Sequence, residues 1–182
     1  RYAIYGVFGY CPDCGIHNSL GILEANLDLV GRMLVLAEEQ QDPTLRTKLV
    51  ENALEDCVSS FDGWGRASVG AFADKAGGPG KAAAISFQNI KAAAASVSTL
   101  FGYDIAASVP PAEFGALNRV FQKRHVIAHR MGVVDDAYVK NTGDTSAVVG
   151  RKVPVERDEI QAACASLLSV AKGLLAHLES LP

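Results

Sequence analysis

Apolar residues recur every three or four positions along most of the chain, which is the period of an amphipathic α-helix. The spacing predicts a first helix over residues 19 to 41 and a second helix over residues 43 to 61. Asp42 is the predicted N-cap of the second helix and Pro43 lies in its first turn, where helices favour proline. The apolar stripe of the first helix consists of Leu23, Leu27, Val30, Leu34 and Ala37.

The pattern breaks between residues 62 and 80, where six glycines and a proline occur. So many helix-breaking residues predict a long loop. The loop contains neither of the glycine-rich arrangements that bind nucleotide phosphates, GxGxxG and the GxxxxGK run of P-loops, so it is interpreted as a connector. A third helix is predicted over residues 81 to 101, where apolar positions resume the helical period.

A fourth helix is predicted to begin at Pro111 and to stop at Gly132, because proline suits a first helical turn and glycine suits the position after the last. Residues 133 to 153 contain short apolar pairs and turn residues, which predict a loop with a short hairpin or helical turn. A last helix is predicted over residues 155 to 181. The chain is therefore predicted to be an all-α bundle of about five helices that spans residues 19 to 182.

Composition fits a single globular domain, because the chain has 182 residues, of which 49% are hydrophobic and 20% are charged. Its net charge of -3 does not mark a nucleic-acid-binding protein. The charge is unevenly distributed along the chain, since every charged residue after Glu113 and up to Met131 is basic. The richest apolar run, Ala163 to Leu178, is interrupted by polar residues and predicts no membrane span. Four cysteines are too few for a disulfide scaffold and favour a cytoplasmic protein.

Two residues of the fourth predicted helix, Arg124 and His129, combine a permanent cation with a titratable imidazole. Arginine presents a rigid fork of donors suited to phosphate, and histidine exchanges a proton near neutral pH, so the pair points to phosphodiester chemistry. On one ideal helix, however, the two side chains lie about 140° apart. Either the last turn of the helix loosens before Gly132, or a second copy of the helix completes the site in a symmetric dimer. His125 does share a face with His129, because the two are four residues apart.

The segment RHVIAHRMGVVDDAYVKNTG, which begins at Arg124, resembles the signature region of HEPN domains, which have an arginine, four residues and then a histidine. Gly132 and Tyr138 also stand where many such sequences have them, and the GRKVPVERDEI run that leads into the last helix is similar too. The resemblance implies a HEPN-like bundle that acts as a metal-independent endoribonuclease, either a toxin or a defence or RNA-processing effector. It also implies a homodimer formed through the motif helix, RNA as substrate, and an antitoxin or other regulatory partner.

The same resemblance implies a role for each residue of the motif. His129 would move the proton of the ribose 2′-hydroxyl or of the leaving 5′-oxygen. Arg124 would hold the phosphate and offset the charge on its oxygens. His125 would support phosphate binding or act as the second proton carrier, and catalysis would need no cofactor. The residues expected to contact RNA are Arg119, Lys123, Arg130 and Tyr138.

Two other interpretations of this helix stay open. Many HEPN domains have lost catalysis and serve as dimerisation modules, so the chain would then be a non-catalytic helical module that binds a partner or associates with nucleic acid. In the simplest alternative, the basic residues form an ordinary solvated helix face, with one histidine against its neighbours. Cleavage of RNA in the presence of a chelator separates the enzyme from both.

Residues 1 to 18 form a separate short segment, in which Cys11 and Cys14 resemble one half of a zinc ribbon. A closed structural zinc site needs four ligands. His17 has the spacing of a third ligand, and the other ligands would come from upstream residues or from a partner chain. The segment is therefore predicted to be an irregular knuckle with a possible structural zinc ion.

A different zinc site would combine that cysteine pair with His125 and His129, since histidines four residues apart can share a metal ion. Arg124 would crowd a cation at that position, which argues against the site. The remaining cysteines, Cys57 and Cys164, lie within helical patterns and are predicted to be small core residues.

Overall fold

A computed structural model describes residues 18 to 182. Cys11 and Cys14 lie outside the described residues, so the knuckle and its zinc ion stay predictions. Within residues 18 to 182 there are seven α-helices, in place of the five or so predicted, and no strand, which confirms the all-α fold class. The helices are α1 (Ser19–Glu39), α2 (Pro43–Ala71), α3 (Pro79–Ala83), α4 (Ile90–Phe101), α5 (Pro111–Arg130), α6 (Asp136–Thr142) and α7 (Arg157–Ser180).

The centre of the bundle is an aromatic cluster that joins α2 to α5 and to the connection before α4. From the centroid of the Phe61 ring, the distances to the rings of Trp64, Phe87 and Phe121 are 5.4, 5.8 and 6.2 Å. The two contacts between phenylalanines are edge-to-face, which is a favourable arrangement of aromatic rings. Around this centre, α1 and α2 form a hairpin against which α7 packs, and α5 packs against α2 and α7.

A second and smaller apolar cluster, here called the minor cluster, lies at the C-terminal end of α5. Its buried members are Val126, Val134, Tyr138 and Val153. The backbone closes over it through an isolated antiparallel bridge between Val133 and Lys152. α6 supplies the short helical turn that was one of the two forms predicted for this segment. Asp135 caps α6, because its carboxylate accepts the N–H of Tyr138 at 2.8 Å.

The predicted end of the second helix near Phe61 is wrong, since α2 continues to Ala71. The loop predicted over residues 62 to 80 is therefore helical in its first half. Gly65 is a glycine whose presence does not indicate a turn. A β-carbon at that position would lie 2.4 Å from the ring of Phe87. The glycine lets helix and ring approach closely and is needed for packing rather than for a turn.

Gly65→Ala is expected to lower the free energy of unfolding by about 1–3 kcal/mol, because the added methyl group must displace the buried ring of Phe87. Gly63→Ala is the matched control in the same helix. A β-carbon at Gly63 meets nothing within 4 Å, so alanine there should raise the free energy of unfolding by about 0.5–1 kcal/mol through its higher helix propensity. Urea unfolding measures both changes, and equal effects of the two substitutions would contradict this explanation.

The helix predicted over residues 81 to 101 is in fact two helices, α3 and α4, separated by residues 84 to 89. Two polar side chains stabilise the non-helical connection between α3 and α4. Asn89 caps α4 by accepting a backbone N–H of its first turn at 3.1 Å. Asp62 of α2 accepts the N–H of Phe87 at 2.7 Å. The second contact depends on tertiary structure, which an alanine-rich helical pattern does not reveal.

Cys57 of α2 and Cys164 of α7 meet in the core, with their sulfur atoms 3.5 Å apart. Cys57 is fully buried and Cys164 is half-buried, so both lie where the sequence predicts. The hydrogen bond with Cys164, together with burial, raises the pKa of the Cys57 thiol well above its ordinary value. The Cys57 thiol therefore stays neutral and behaves as a small core residue.

By length and composition, α7 is the one helix among the described residues that could cross a membrane. One face of α7 is nevertheless buried against α1, α2 and α5. That arrangement is typical of the core helix of a bundle. The cytoplasmic location stays a prediction.

Candidate active site

α5 carries Arg124, His125 and His129 and is packed against α2, α4, α6 and α7. As predicted, it begins at Pro111, but the left-handed residue that ends it is Met131, with a φ of 53°, and Gly132 follows with a φ of 78°. The N–H of Gly132 donates to the carbonyl of Val126, six residues earlier, at 3.0 Å, and the N–H of Met131 donates to the same carbonyl. Because α5 is regular to its last residue, Arg124 and His129 keep the separation of about 140° that an ideal helix imposes.

His125 and His129 lie side by side on the exposed surface near the end of α5. Their ring centroids are 4.8 Å apart, and the ring planes are tilted by 53°. We call this pair the histidine face. Both imidazoles are accessible to a substrate without rearrangement of the fold. Proton transfer to or from a substrate requires such access.

Arg124 faces α2 instead of sharing the histidine face. Its Nε and Nη2 donate to Oε1 of Glu55 at 3.0 and 2.6 Å, and 13% of its side chain is exposed. Nη1 makes no hydrogen bond to any residue between 18 and 182. The ion pair thus orients the guanidinium and leaves one terminal nitrogen for a further acceptor.

Glu55 is the contact that sequence reasoning missed. It stands 69 residues before Arg124, and no pattern within α2 distinguishes it from neighbouring acidic residues such as Glu51 and Asp56. The pairing offsets part of the positive charge that the sequence assigns to α5.

Lys123, predicted to contact RNA, is buried within the bundle instead, with 8% of its side chain exposed. Its ammonium donates to both carboxylate oxygens of Glu159 at 2.7 and 2.8 Å, and to the carbonyl of Pro154 at 2.7 Å. All three of its donor hydrogens are therefore used inside the protein. The ion pair ties α5 to the start of α7, and Lys123 is not available to RNA in this conformation.

Tyr138, also predicted to contact RNA, belongs to the minor cluster and is 1% exposed. Its hydroxyl donates to Asp144 at 3.0 Å. Burial and this hydrogen bond raise the pKa of Tyr138 well above its ordinary value. The pKa of Asp144 is lowered, chiefly by the hydrogen bond from the Ser146 side chain. The pair stabilises the segment after α5, and Tyr138 does not present its ring to solvent.

The two remaining predicted RNA contacts, Arg119 and Arg130, differ in their surroundings. Arg130 is exposed beside the histidine face, 3.6 Å from Asp135, where solvent screens the ion pair. Arg119 is half-buried and lines a groove of about 420 Å³ between α5 and α7. The structure therefore brings three of the predicted residues to one exposed helix end, namely His125, His129 and Arg130.

Among residues 18 to 182, no three histidine, cysteine or acidic side chains stand close enough to share a metal ion. The alternative zinc site of Cys11, Cys14, His125 and His129 has two members outside that range. The structure does not test it.

No protein-family model, no curated protein and no solved structure matches the chain. The fold and the site together define an all-α bundle with two exposed imidazoles at the end of a central helix. Membership of the HEPN family stays a prediction that rests on the residues of the motif.

Proposed function

We propose that this protein is a metal-independent endoribonuclease of HEPN type that works as a homodimer. The observation that carries the proposal is the histidine face: two exposed imidazoles lie at the end of the helix that also holds Arg124. The resemblance of the motif supplies the class of reaction. The chemistry of the side chains supports each step of it.

The reaction begins at the ribose 2′-hydroxyl, whose oxygen attacks the adjacent phosphorus. A neutral imidazole of the histidine face takes the hydroxyl proton as the 2′-O–P bond forms. The P–O5′ bond breaks, and a protonated imidazole gives its proton to the departing 5′-oxygen. The products are a 2′,3′-cyclic phosphate and a free 5′-hydroxyl. Two imidazoles in opposite protonation states complete both transfers.

A second copy of α5 supplies what one chain lacks. Because Arg124 and His129 diverge by about 140° on one helix, the phosphate bound by Arg124 of one copy lies beside the histidine face of the other. A two-fold dimer builds two such composite sites. Glu55 orients the guanidinium through Nε and Nη2, so that Nη1 contacts a phosphate oxygen as negative charge develops there.

A short RNA incubated in EDTA tests the proposal, beside the same strand with one 2′-deoxynucleotide at the cleaved position. We expect the ribose strand to yield 2′,3′-cyclic phosphate and 5′-hydroxyl ends. The deoxy position should stay intact, because its nucleophile is missing. Mass spectrometry identifies the ends, and sedimentation measures whether the active species is a dimer. Cleavage at the deoxy position, or a requirement for divalent ions, would rule out this mechanism.

One observation favours a second function, that of a non-catalytic helical dimerisation or nucleic-acid-associated module. Arg124 is paired with Glu55 and Lys123 is paired with Glu159, so α5 offers less positive charge to RNA than its sequence suggests. A dimer that forms through α5 but leaves every RNA intact would identify this function instead.

A further inference from the structure

We propose that the histidine face also binds a divalent transition metal ion of the zinc type, through one imidazole nitrogen each of His125 and His129. Two histidines four residues apart on one helix face have the spacing with which helical zinc sites hold their ion. Imidazole is a suitable ligand for zinc, nickel and copper. This site uses surface residues of α5 and is separate from the cysteine pair near the N-terminus.

The separation of the two rings matches a shared ion. An imidazole nitrogen lies about 2.0–2.1 Å from zinc and the ring centroid about 1.1 Å beyond it, so each centroid is about 3.2 Å from the ion. With ligand angles of about 90–110°, two such centroids are about 4.5–5.2 Å apart. The observed separation between His125 and His129 is 4.8 Å. The separation of the two rings is therefore compatible with a shared ion.

A comparison with His177 shows what distinguishes the histidine face from an ordinary packed histidine. The ring of His177 is also 4.8 Å from an aromatic neighbour, Tyr103, but it is stacked on that ring and its Nε2 is bonded to the carbonyl of Phe101 at 2.8 Å. The rings of His125 and His129 are exposed, and they make no hydrogen bond to any residue between 18 and 182. Exposed imidazoles can bind an ion, and water or the same pair of a second copy would complete its coordination.

The two arginines near the histidine face, Arg124 and Arg130, each have a carboxylate close by. Arg124, which was expected to crowd a cation, is held toward α2 by Glu55 at 2.6 Å. Arg130 lies near the carboxylate of Asp135. Because each of these cations has an acidic partner, their repulsion of a metal ion is reduced.

An ion bound here would inhibit RNA cleavage, a consequence that rests on the proposed function. A ring nitrogen that coordinates a metal ion can neither accept nor donate a proton. Zinc would then stop an enzyme that needs no metal for its chemistry, and a chelator would restore activity.

Calorimetric titration of the untagged full chain with zinc(II), and separately with nickel(II), tests the site. The protein carries Cys11→Ser and Cys14→Ser, so that the cysteine pair does not contribute. We expect His125→Ala and His129→Ala each to lose at least about tenfold in affinity, since each removes one of two protein ligands. His177→Gln is the matched control and should bind the ion as the parent protein does.

Circular dichroism and thermal melting verify that the variants fold, which the exposure of both histidines leads us to expect. Unchanged affinity in both alanine variants would overturn the metal site, whether or not RNA is cleaved. Zinc that binds at these histidines without slowing cleavage would overturn the inhibition. A protein that binds zinc here but cleaves no RNA would support the metal site and overturn the ribonuclease proposal.

Discussion

Replacing His129 by alanine is expected to lower the rate of RNA cleavage by about a hundred- to ten-thousand-fold, which is the usual contribution of one general acid or base. The side chain is exposed and belongs to neither apolar cluster, so the loss would come from chemistry and not from unfolding. Single-turnover kinetics measure the rate, and thermal melting verifies the fold. His177→Gln controls for the loss of an imidazole elsewhere. Cleavage at the wild-type rate in His129→Ala would mean that the active site lies in another place.

The same variant tests whether two chains share a site. If Arg124 comes from one copy and His129 from the other, a mixed dimer of Arg124→Ala and His129→Ala chains keeps one intact site of its two. Equal mixing makes about half of the dimers mixed, so about a quarter of wild-type activity should return. If one chain supplied both residues, the mixture would stay as inactive as its components.

Glu159→Gln is expected to lower the free energy of unfolding by about 3–5 kcal/mol, because it removes the one carboxylate that the buried ammonium of Lys123 contacts directly among residues 18 to 182. Lys123 is enclosed and also donates to the carbonyl of Pro154, so it cannot reach solvent without losing that contact. Glutamine keeps an oxygen that can accept the N–H of Glu156 at the start of α7. The substitution therefore tests the charge rather than the helix cap, and urea unfolding measures the change.

The matched control is the ion pair between Glu24 and Lys172, whose atoms are 3.2 Å apart but whose side chains are about half exposed. Glu24→Gln should cost less than about 1 kcal/mol, since solvent and side-chain entropy offset an exposed pair. Adding Lys123→Met to Glu159→Gln should recover part of the loss by removing the unpaired cation. Equal costs for the two glutamine variants would contradict the burial of Lys123.

Three helices, α1, α5 and α7, could be placed from the sequence, because continuous apolar stripes agree there with capping or terminating residues. The end of α2 could not be placed from the sequence. Sequence rules treat a glycine such as Gly65 as a helix breaker because its backbone is flexible. In the structure the Phe87 ring occupies the space beside Gly65, so the glycine serves packing within a helix. The break before α4 depends in the same way on Asp62, which stands 25 residues from the N–H that it accepts. In both cases a tertiary contact decided the local structure.

The histidine face could also be predicted, since two residues four apart on a helix share a face whatever surrounds them. The burial of Lys123 could not, because its partner Glu159 stands 36 residues later. The burial of Tyr138 could not be predicted for a similar reason. It depends on Val126, which precedes Tyr138 in the sequence, and on Val153, which follows it. A basic or aromatic residue in a helical pattern does not by itself show whether it faces solvent.

The minor cluster gives the protein two apolar centres of unequal size. The larger centre holds the bundle together, whereas the smaller one organises residues 133 to 153 next to the histidine face. Exposed positions of that segment, such as Val148 and Val149, belong to neither centre, and exposed positions of connecting segments tolerate change well. Substitutions at those exposed positions would change what a ligand meets beside the histidine face and would leave both apolar centres intact.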